Sequence, residues 1–413
     1  MKLLVIGNYY EPEVTSGIYL AKNLYETLAE YGVQIDLIVP SPSRGINSEL
    51  YSKYFCRYEE KNNGYLRIHR IKVKPEKNGI IRRAFRYMLI QLKLYNYAVS
   101  FDADIVFAQS TPPIIGITAS MLSKKMNAPF IYNLHDVFPD SMVNANLIKE
   151  SSIIYKIGRI IENYIYKNAT KIIAVSDGIK DNIIRKNVPV DKIQVINNWV
   201  DEDEIHYVKR EDNPLFKKWN LSDKLFYVVY AGNLGTSQNV DVILEAAGII
   251  KQYDKIKFII IGNGAEELRL KSKAKKMKLN NLLFFPMQPY SEVSNVYSLG
   301  DVCIVTCKSG VGSAGMPSKT WSIMITKRPL IICFDKNCEL WNLVQNTNSG
   351  LCGEPDDAKQ LANNIMSMYN DQEMGDRMGA NGQNYIFKSL SKSICVEKYI
   401  HELKSVLAKS KKI

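Results

Sequence analysis

Short runs of consecutive apolar residues recur along this chain, each followed by a loop and then by a segment with helical spacing, and that rhythm leaves few folds open. KLLVIG (2–7) is the first run; a helix-compatible segment from Gly17 to about Tyr31 follows, Gly32 stops it, and QIDLIVP (34–40) is the second run. Strand, loop, helix, strand is the unit that builds a parallel sheet. The pattern continues through YLRIHRIKV (65–73), ADIVFAQS (103–110), APFIYNLH (128–135), TKIIAVS (170–176) and KIQVIN (192–197). Two acid-rich pieces, DEDE at 201–204 and KREDN at 209–213, then break it. It restarts with KLFYVVYAGNLG (224–235), KIKFIIIGNG (255–264), NLLFFP (281–286), DVCIVT (301–306) and PLIIC (329–333), and helical segments close the chain from Asp356 onward.

At 413 residues the chain suits two to three domains, and the interruption marks a boundary between two doubly wound α/β halves. We expect a first domain over 1–205, a second over 206–385, and a closing helix over 386–413 that packs back on the first. A cleft between two such domains is where a ligand normally binds. The net charge of +12 favours an anionic partner: nucleic acid, anionic lipid or a phosphorylated substrate. Seven cysteines with no CxxC spacing point to a reducing compartment and no metal site. The opening apolar run is too short for a signal-peptide core and no run reaches 18 apolar residues, so the expectation is a cytoplasmic protein.

Several familiar chemistries find no support. GNLGTS (232–237) and GNGAEE (262–267) lack the spacing of a dinucleotide fingerprint, and no HExxH or nucleophile-elbow pattern occurs. The carboxylates Asp102 and Asp104 precede a strand, at the end of a parallel sheet where ligands do not bind, so they read as structural; Asp201 and Asp203 read as boundary loop.

Residues 307–330, CKSGVGSAGMPSKTWSIMITKRPL, are the most informative stretch. Ser309 to Gly315 holds three glycines and two serines, a loop able to bring backbone N–H groups close to an anion. Pro317 suits a first helical turn, and Trp321, Met324 and Ile325 recur at helical spacing. A diphosphate at that helix start would be stabilised by the dipole, with Lys319 adding a full charge. An ordinary loop leading into a core helix carries the same signature.

The first half places polar residues at strand carboxyl ends: Asn8 and Tyr9, Gln109 and Ser110, His135 and Asp136, Ser176 and Asp177, Asn197 and Asn198. The second half offers Gly232, Asn233, Gly235, Gln238, Gly262, Gly264 and the 309–319 loop. A polar wall with a histidine opposite a wall of glycine amides suits a sugar-like acceptor facing a nucleotide diphosphate. Separately, residues 77–99 place Ile80, Ile81, Ala84, Tyr87, Met88 and Leu92 at helical spacing beside Arg82, Arg83, Arg86 and Lys93. Such a helix suits an anionic membrane surface, or it docks on its own sheet with its arginines in water.

Taken together, NYYEPEVTSG, HDVFPDS, AVSDGI, VINNWVD, YAGNLGTSQNVD, IIIGNG and AGMPSKTWSIM…KRPLI span nearly the whole chain and resemble the retaining glycosyltransferases of family four, of GT-B fold. The likeness is to the bacterial branch assembling O-antigen and capsule, which includes fucosamine transferases of the WbuB type. The resemblance implies two Rossmann-like domains facing across a cleft and transfer from a UDP-linked sugar without a metal or other cofactor. An N-acetylated amino sugar or deoxysugar would pass to a polyprenyl-diphosphate-linked glycan at the inner face of the plasma membrane, with no nucleic acid involved. It places Gly17 beside the donor diphosphate, His135 with Asp136 near the reacting sugar, and Gly235, Thr236, Gln238 and Gly264 near the phosphates. Phe285, Pro286, Met287 and Gln288 would border the nucleobase. Gly312, Ser313, Ala314, Gly315, Met316, Pro317, Ser318 and Lys319 would hold the diphosphate. Two glutamates that flank this loop in many members fall here on Ala314 and Ser322, which shifts carboxylate duty toward Glu339 or Asp335; Asp335 reads as a solvated loop residue. An epimerase of the same fold and a non-catalytic binder of nucleotide sugars are the rival expectations.

Overall fold

The computed structural model describes residues 1–413 apart from 14–16, 44–45, 74–79, 145–146, 313–315 and 411–413, and apart from the side chains of 80–85 and 144. The chain forms two compact units, Met1–Asn198 with Cys395–Ile413, and Trp199–Ile394. The boundary therefore falls before the acidic stretch, not after it at 205. Val200 bridges to Ser391, Lys392 pairs with Asp201 and Asp203, and the backbone N–H groups of Lys392 and Ser393 donate to Glu202, so these acids are internal ties of the second unit. Only 395–413 of the expected closing segment group with the first unit.

The first unit is built on eight strands: β1 (Lys2–Ile6), β2 (Gln34–Pro40), β3 (Tyr58–Lys61), β4 (Leu66–Ile71), β5 (Ile105–Gln109), β6 (Phe130–Leu134), β7 (Lys171–Ala174) and β8 (Ile193–Val195). Their order is β3-β4-β2-β1-β5-β6-β7-β8, parallel throughout except that β3 runs antiparallel to β4. Helices cover the sheet, which is why Leu3, Leu4, Val5 and Ile6 in succession are all buried. Helix Ile80–Ala98 docks through Ile90, Leu94 and Ala98, and helix Ile115–Met126 through Ile115, Ala119 and Leu122, on the same core. Asp104 accepts from the Lys2 backbone N–H and Asp102 pairs with the Lys2 ammonium, in keeping with a structural role for both.

The second unit carries β9 (Phe226–Ala231), β10 (Ile256–Ile261), β11 (Leu282–Phe285), β12 (Val302–Thr306), β13 (Leu330–Cys333) and β14 (Gly350–Gly353), all parallel, in the order β11-β10-β9-β12-β13-β14. In each sheet the order reverses beside a central strand, between β1 and β5 and between β9 and β12. Chains leave the sheet in opposite directions at such a point and open a crevice at the carboxyl ends.

Candidate active site

In the first unit the carboxyl ends of β1, β5 and β6 lie side by side, because Ile6 pairs with Ala108 and Gln109 with Asn133. A cavity of about 50 Å³ opens there, lined among others by Asn8, Gly17, Gln109, Thr111 and His135. Gly17 holds φ +86° at the start of helix Ile18–Glu30, a left-handed conformation that favours glycine, and no described atom would obstruct a Cβ there. Its requirement is therefore backbone conformation, not space.

Two contacts hold His135, and a third holds its neighbour Asn133. The His135 backbone N–H donates to Ser110 Oγ at 2.9 Å, its ring Nε2 lies 3.1 Å from Asn133 Nδ2, and Asn133 Oδ1 accepts from the Tyr399 hydroxyl at 3.0 Å. Burial pushes the imidazole down to about 4, so it is neutral at pH 7. Asp136 is not its partner: that side chain is exposed and borders a separate small cavity with Tyr132 and Glu162. Asn8 is buried, its Oδ1 accepting from Gln91 Nε2 at 3.4 Å, while its Nδ2 has no hydrogen-bond partner among the described residues. That unpaired amide donor belongs to a residue of the cavity lining. Ser176, by contrast, caps helix Asp177–Arg185, and Asn197 donates to the Val175 carbonyl, so those two strand ends are structural.

In the second unit a cavity of about 270 Å³ is lined by Asn233, Gln238, Thr306, Met316, Pro317 and Lys319, with others. Helix Lys319–Ile325 starts here and turns Trp321, Met324 and Ile325 inward. Lys319 Nζ is buried with no hydrogen-bond partner among the described residues and sits 4.2 Å from the centroid of the Tyr230 ring, whose hydroxyl donates to the Asn233 carbonyl at 2.8 Å. Burial pushes the lysine down to about 8. A Cβ on Gly232 would lie 2.5 Å from that Nζ, so glycine at this position makes room for the cation. Gly262 and Gly264 serve close packing: a Cβ on either would lie within 2.4 Å of the Gly232 or Leu234 carbonyl oxygen. Gly235 is crowded by Asn233 and Gln238, which bond each other at 3.3 Å, while Thr236 is exposed and does not line the cavity.

The glycine loop itself departs from expectation. The N–H groups of Gly310 and Gly312 donate to the two carboxylate oxygens of Asp335 at 2.9 and 2.7 Å. Asp335 is thus an internal anion that holds the loop, not a solvated residue, and Gly312 gives its amide to the protein and not to a ligand. Ser313, Ala314 and Gly315 lie outside the described residues. Ser318 is exposed, and Glu339 stands exposed in the first turn of helix Glu339–Thr347, away from the cavity lining.

At the end of β11, Phe285 stacks on Trp219, with ring centroids 3.9 Å apart and planes within 6°. Gln288 accepts from Lys218 Nζ at 3.1 Å and donates to the Pro286 carbonyl; Pro286 and Met287 are exposed beside it. Trp219 escaped the sequence reading because nothing local ties it to a strand end 66 residues away.

Comparison with known proteins follows the same division. Residues 19–204 match the description "Glycosyltransferase Family 4" and residues 211–385 match "Glycosyl transferases group 1". The chain is 26% identical over 342 residues to a protein of Pseudomonas aeruginosa described as a probable glycosyltransferase, WbjE, covering 82% of this chain and 84% of that one. It is 25% identical over 382 residues to the Escherichia coli protein named for colanic acid biosynthesis glycosyl transfer, WcaI, covering 88% and 91%. Among solved structures, Anabaena HepE in complex with UDP superposes with a TM-score of 0.72 at 13% identity, over 98% of this chain and all of that one. Two Rossmann-like parallel sheets with cavities at their carboxyl ends match the GT-B architecture of the structural neighbours. The chain belongs to the GT-B glycosyltransferases of the family-four and group-1 type, and is a hexosyltransferase-class enzyme.

Proposed function

We propose that this enzyme moves a sugar from a UDP-linked donor to a lipid-diphosphate-linked glycan, with retention at the anomeric carbon and without a metal ion, in building a surface polysaccharide. The bond from the anomeric carbon to UDP breaks, a bond to an acceptor hydroxyl oxygen forms on the same face, the hydroxyl proton passes to the departing diphosphate and on to water, and UDP leaves. The observation that carries the reading is Lys319: a buried cation without a hydrogen-bond partner among the described residues, on the wall of a cavity, at the start of a helix. A leaving diphosphate gains negative charge as the bond breaks, and a fixed cation in a dry site stabilises it strongly. His135, neutral and held by Ser110 and Asn133, orients the donor sugar, and the unpaired Asn8 amide offers a hydrogen bond to a hydroxyl or phosphate oxygen. The Trp219–Phe285 stack gives the base a flat apolar neighbour. The donor nucleotide is supported by the structural neighbour HepE, solved in complex with UDP and with UDP-glucose. The pathway is supported by relatives named for colanic acid and for capsular polysaccharide, the latter CapM of Staphylococcus aureus. The donor sugar we infer is an N-acetylated amino sugar or deoxysugar of the fucosamine-transferase kind.

A membrane-linked acceptor requires a surface that meets the bilayer. Among the described residues no helix is long and apolar enough to cross one. Helix Ile80–Ala98 exposes Met88, Leu89 and Leu92 on the side away from the sheet. Helix Ile153–Asn168 does so more strongly, with Ile153, Ile154, Ile157 and Ile160 each more than half exposed and the exposed Lys156 and Lys167 beside them. An apolar ridge edged by lysines matches the boundary between acyl chains and anionic headgroups. Peripheral attachment is our reading of both faces.

The test is a panel of UDP-, GDP- and dTDP-sugars, read by melting midpoint and then by transfer to a polyprenyl-diphosphate saccharide with the product's anomeric configuration assigned by NMR. A UDP-sugar at a hundred times its dissociation constant stabilises by about 2.7 kcal/mol. Stabilisation by another nucleotide alone, or a product of inverted configuration, would overturn the reading.

A further inference from the structure

We infer that the apolar side of the Lys319 cavity selects the donor by the group at C6 of its sugar: a 6-deoxy sugar, its methyl against Val311, Cys307 and Phe334, is taken in preference to one with a hydroxymethyl there. This rests on the UDP-linked donor and the diphosphate contact of Lys319 proposed above. The cavity lining is divided along the sheet. Asn233, Ser237 and Gln238, from the loop after β9, bring polar side chains, whereas Val305, Cys307, Val311 and Phe334, from β12, the loop after it and the end of β13, bring apolar ones. Val305, Cys307 and Phe334 are buried, so core packing sets their positions. Thr306 points to the opposite face of the strand from Val305 and Cys307, and its hydroxyl donates to the Gln238 carbonyl. Among the described residues no carboxylate lines the cavity, and Ser313, Ala314 and Gly315 carry none.

Strand order decides which part of the donor meets the apolar side. The base is assigned to the Trp219–Phe285 stack at the end of the edge strand β11, and Lys319 Nζ sits over Tyr230 and Gly232 at the end of β9. In the order β11-β10-β9-β12-β13-β14, a donor laid from base to diphosphate runs toward β12. Its sugar, bonded to the far phosphate, then falls at the carboxyl ends of β12 and β13. A volume of about 270 Å³ is below the roughly 300–1,000 Å³ of sites that enclose a whole small molecule, which suits sugar and diphosphate with the base outside. C6 is the one carbon of a hexose outside the ring, hence the position where removing an oxygen leaves a methyl. A C6 hydroxyl against Val305, Val311 and Phe334 would lose water and gain no hydrogen bond, whereas a methyl needs none. An acetamido group brings an N–H and a carbonyl that need partners too. Cys307 does not change this: burial pushes its thiol up to about 12, so it stays neutral and bonds weakly.

The test uses the full-length enzyme and two pairs of donors that differ by one oxygen at C6: UDP-N-acetylglucosamine with UDP-N-acetylquinovosamine, and UDP-N-acetylgalactosamine with UDP-N-acetylfucosamine. The 6-deoxy member of at least one pair should have the higher kcat/KM by about ten- to hundredfold, the range over which an apolar pocket rejects an added hydroxyl. Val311→Thr keeps the shape of an exposed side chain and adds a hydroxyl, so it should narrow that preference about fivefold, and Cys307→Ser should do the same from the buried side. Equal use of both members, or preference for the hydroxymethyl, in both pairs overturns the inference; if UDP still binds and weakens on Lys319→Met, the reading of the cavity stands without it. Failure of UDP and of every UDP-sugar to bind overturns both. A 6-deoxy preference that neither variant narrows overturns the part given to this wall. Should Cys307→Ser fail to fold, Val311→Thr decides alone.

Discussion

Replacing Lys319 by methionine should make the unliganded enzyme more stable and the liganded one less so. The apolar stem is largely kept, but the charge buried over Tyr230 without a hydrogen-bond partner among the described residues is gone. A shift from the ordinary 10.5 to about 8 corresponds to a penalty on the order of 3 kcal/mol at pH 7. The cation–π contact with Tyr230 is lost as well, about 1 kcal/mol, so a net gain of about 1–3 kcal/mol is expected. The sign follows from linkage: between pH 8 and 10.5 the unfolded chain binds more protons at this lysine than the folded one, so stability rises with pH there. The penalty is full below pH 8 and fades toward 10.5, and the methionine variant lacks that rise. Binding runs the other way. A diphosphate contact to a charged donor contributes about 1.5–3 kcal/mol, so UDP should bind roughly 10- to 100-fold more weakly while uridine changes within about twofold. At pH 8 half the lysines are neutral until the diphosphate arrives, and calorimetry in buffers of different ionisation heat should show about half a proton taken up per UDP, falling to nearly none at about pH 7. UDP is already fully ionised at pH 8, its last phosphate proton leaving near ~6. Equal losses for UDP and uridine, a variant no more stable than the parent, or no proton uptake at pH 8 would each refute the reasoning.

His135→Ala should lower turnover by about a hundredfold or more through lost positioning, with UDP affinity within a few fold; a variant that keeps over about a tenth of parental activity at an unchanged melting midpoint would show the histidine to be structural. Asp335→Ala removes the acceptor of two loop amides and should loosen the loop, raising the donor KM about fivefold, which is about 1 kcal/mol; tighter UDP binding would instead mean that the carboxylate competes with the phosphate. Ile157→Gln with Ile160→Gln should reduce sedimentation with anionic vesicles at both low and high salt, since apolar burial is not screened, whereas changing Arg82, Arg83 and Arg86 to glutamine should reduce it chiefly at low salt. Equal vesicle binding by all three proteins would remove both faces from consideration.

The parallel strands were legible because they are covered on both faces and so read as apolar runs. The strands that escaped are those to which that reason does not apply: β3 is the charged edge segment YEEK, antiparallel and exposed on one side, and β14 is GLCG, with glycine at both ends. Of the site, what local pattern can carry was legible: a histidine after a strand, a lysine after a proline at a helix start. What depends on distant partners was not. The room that Gly232 leaves for Lys319, the Trp219 stack and the Tyr399–Asn133 hydrogen bond join residues 66 to 266 positions apart, and no spacing rule links them.

The glycine loop is the instructive case. A run such as SGVGSAG before a helix looks the same whether its amides await a ligand or hold a carboxylate of the chain itself, because both need backbone that can approach an anion. What separates the two is the neighbouring strand. β12 and β13 pair with Thr306 opposite Cys333, and the ladder runs on as the Cys307 N–H donates to the Cys333 carbonyl at 3.1 Å. The loop after β12 thus leaves the sheet beside the residues that follow β13, and Asp335, two positions past that strand, meets Gly310 and Gly312. Those two amides are taken up from within, and on the function proposed above the charge for a diphosphate falls to Lys319, buried and without a hydrogen-bond partner among the described residues.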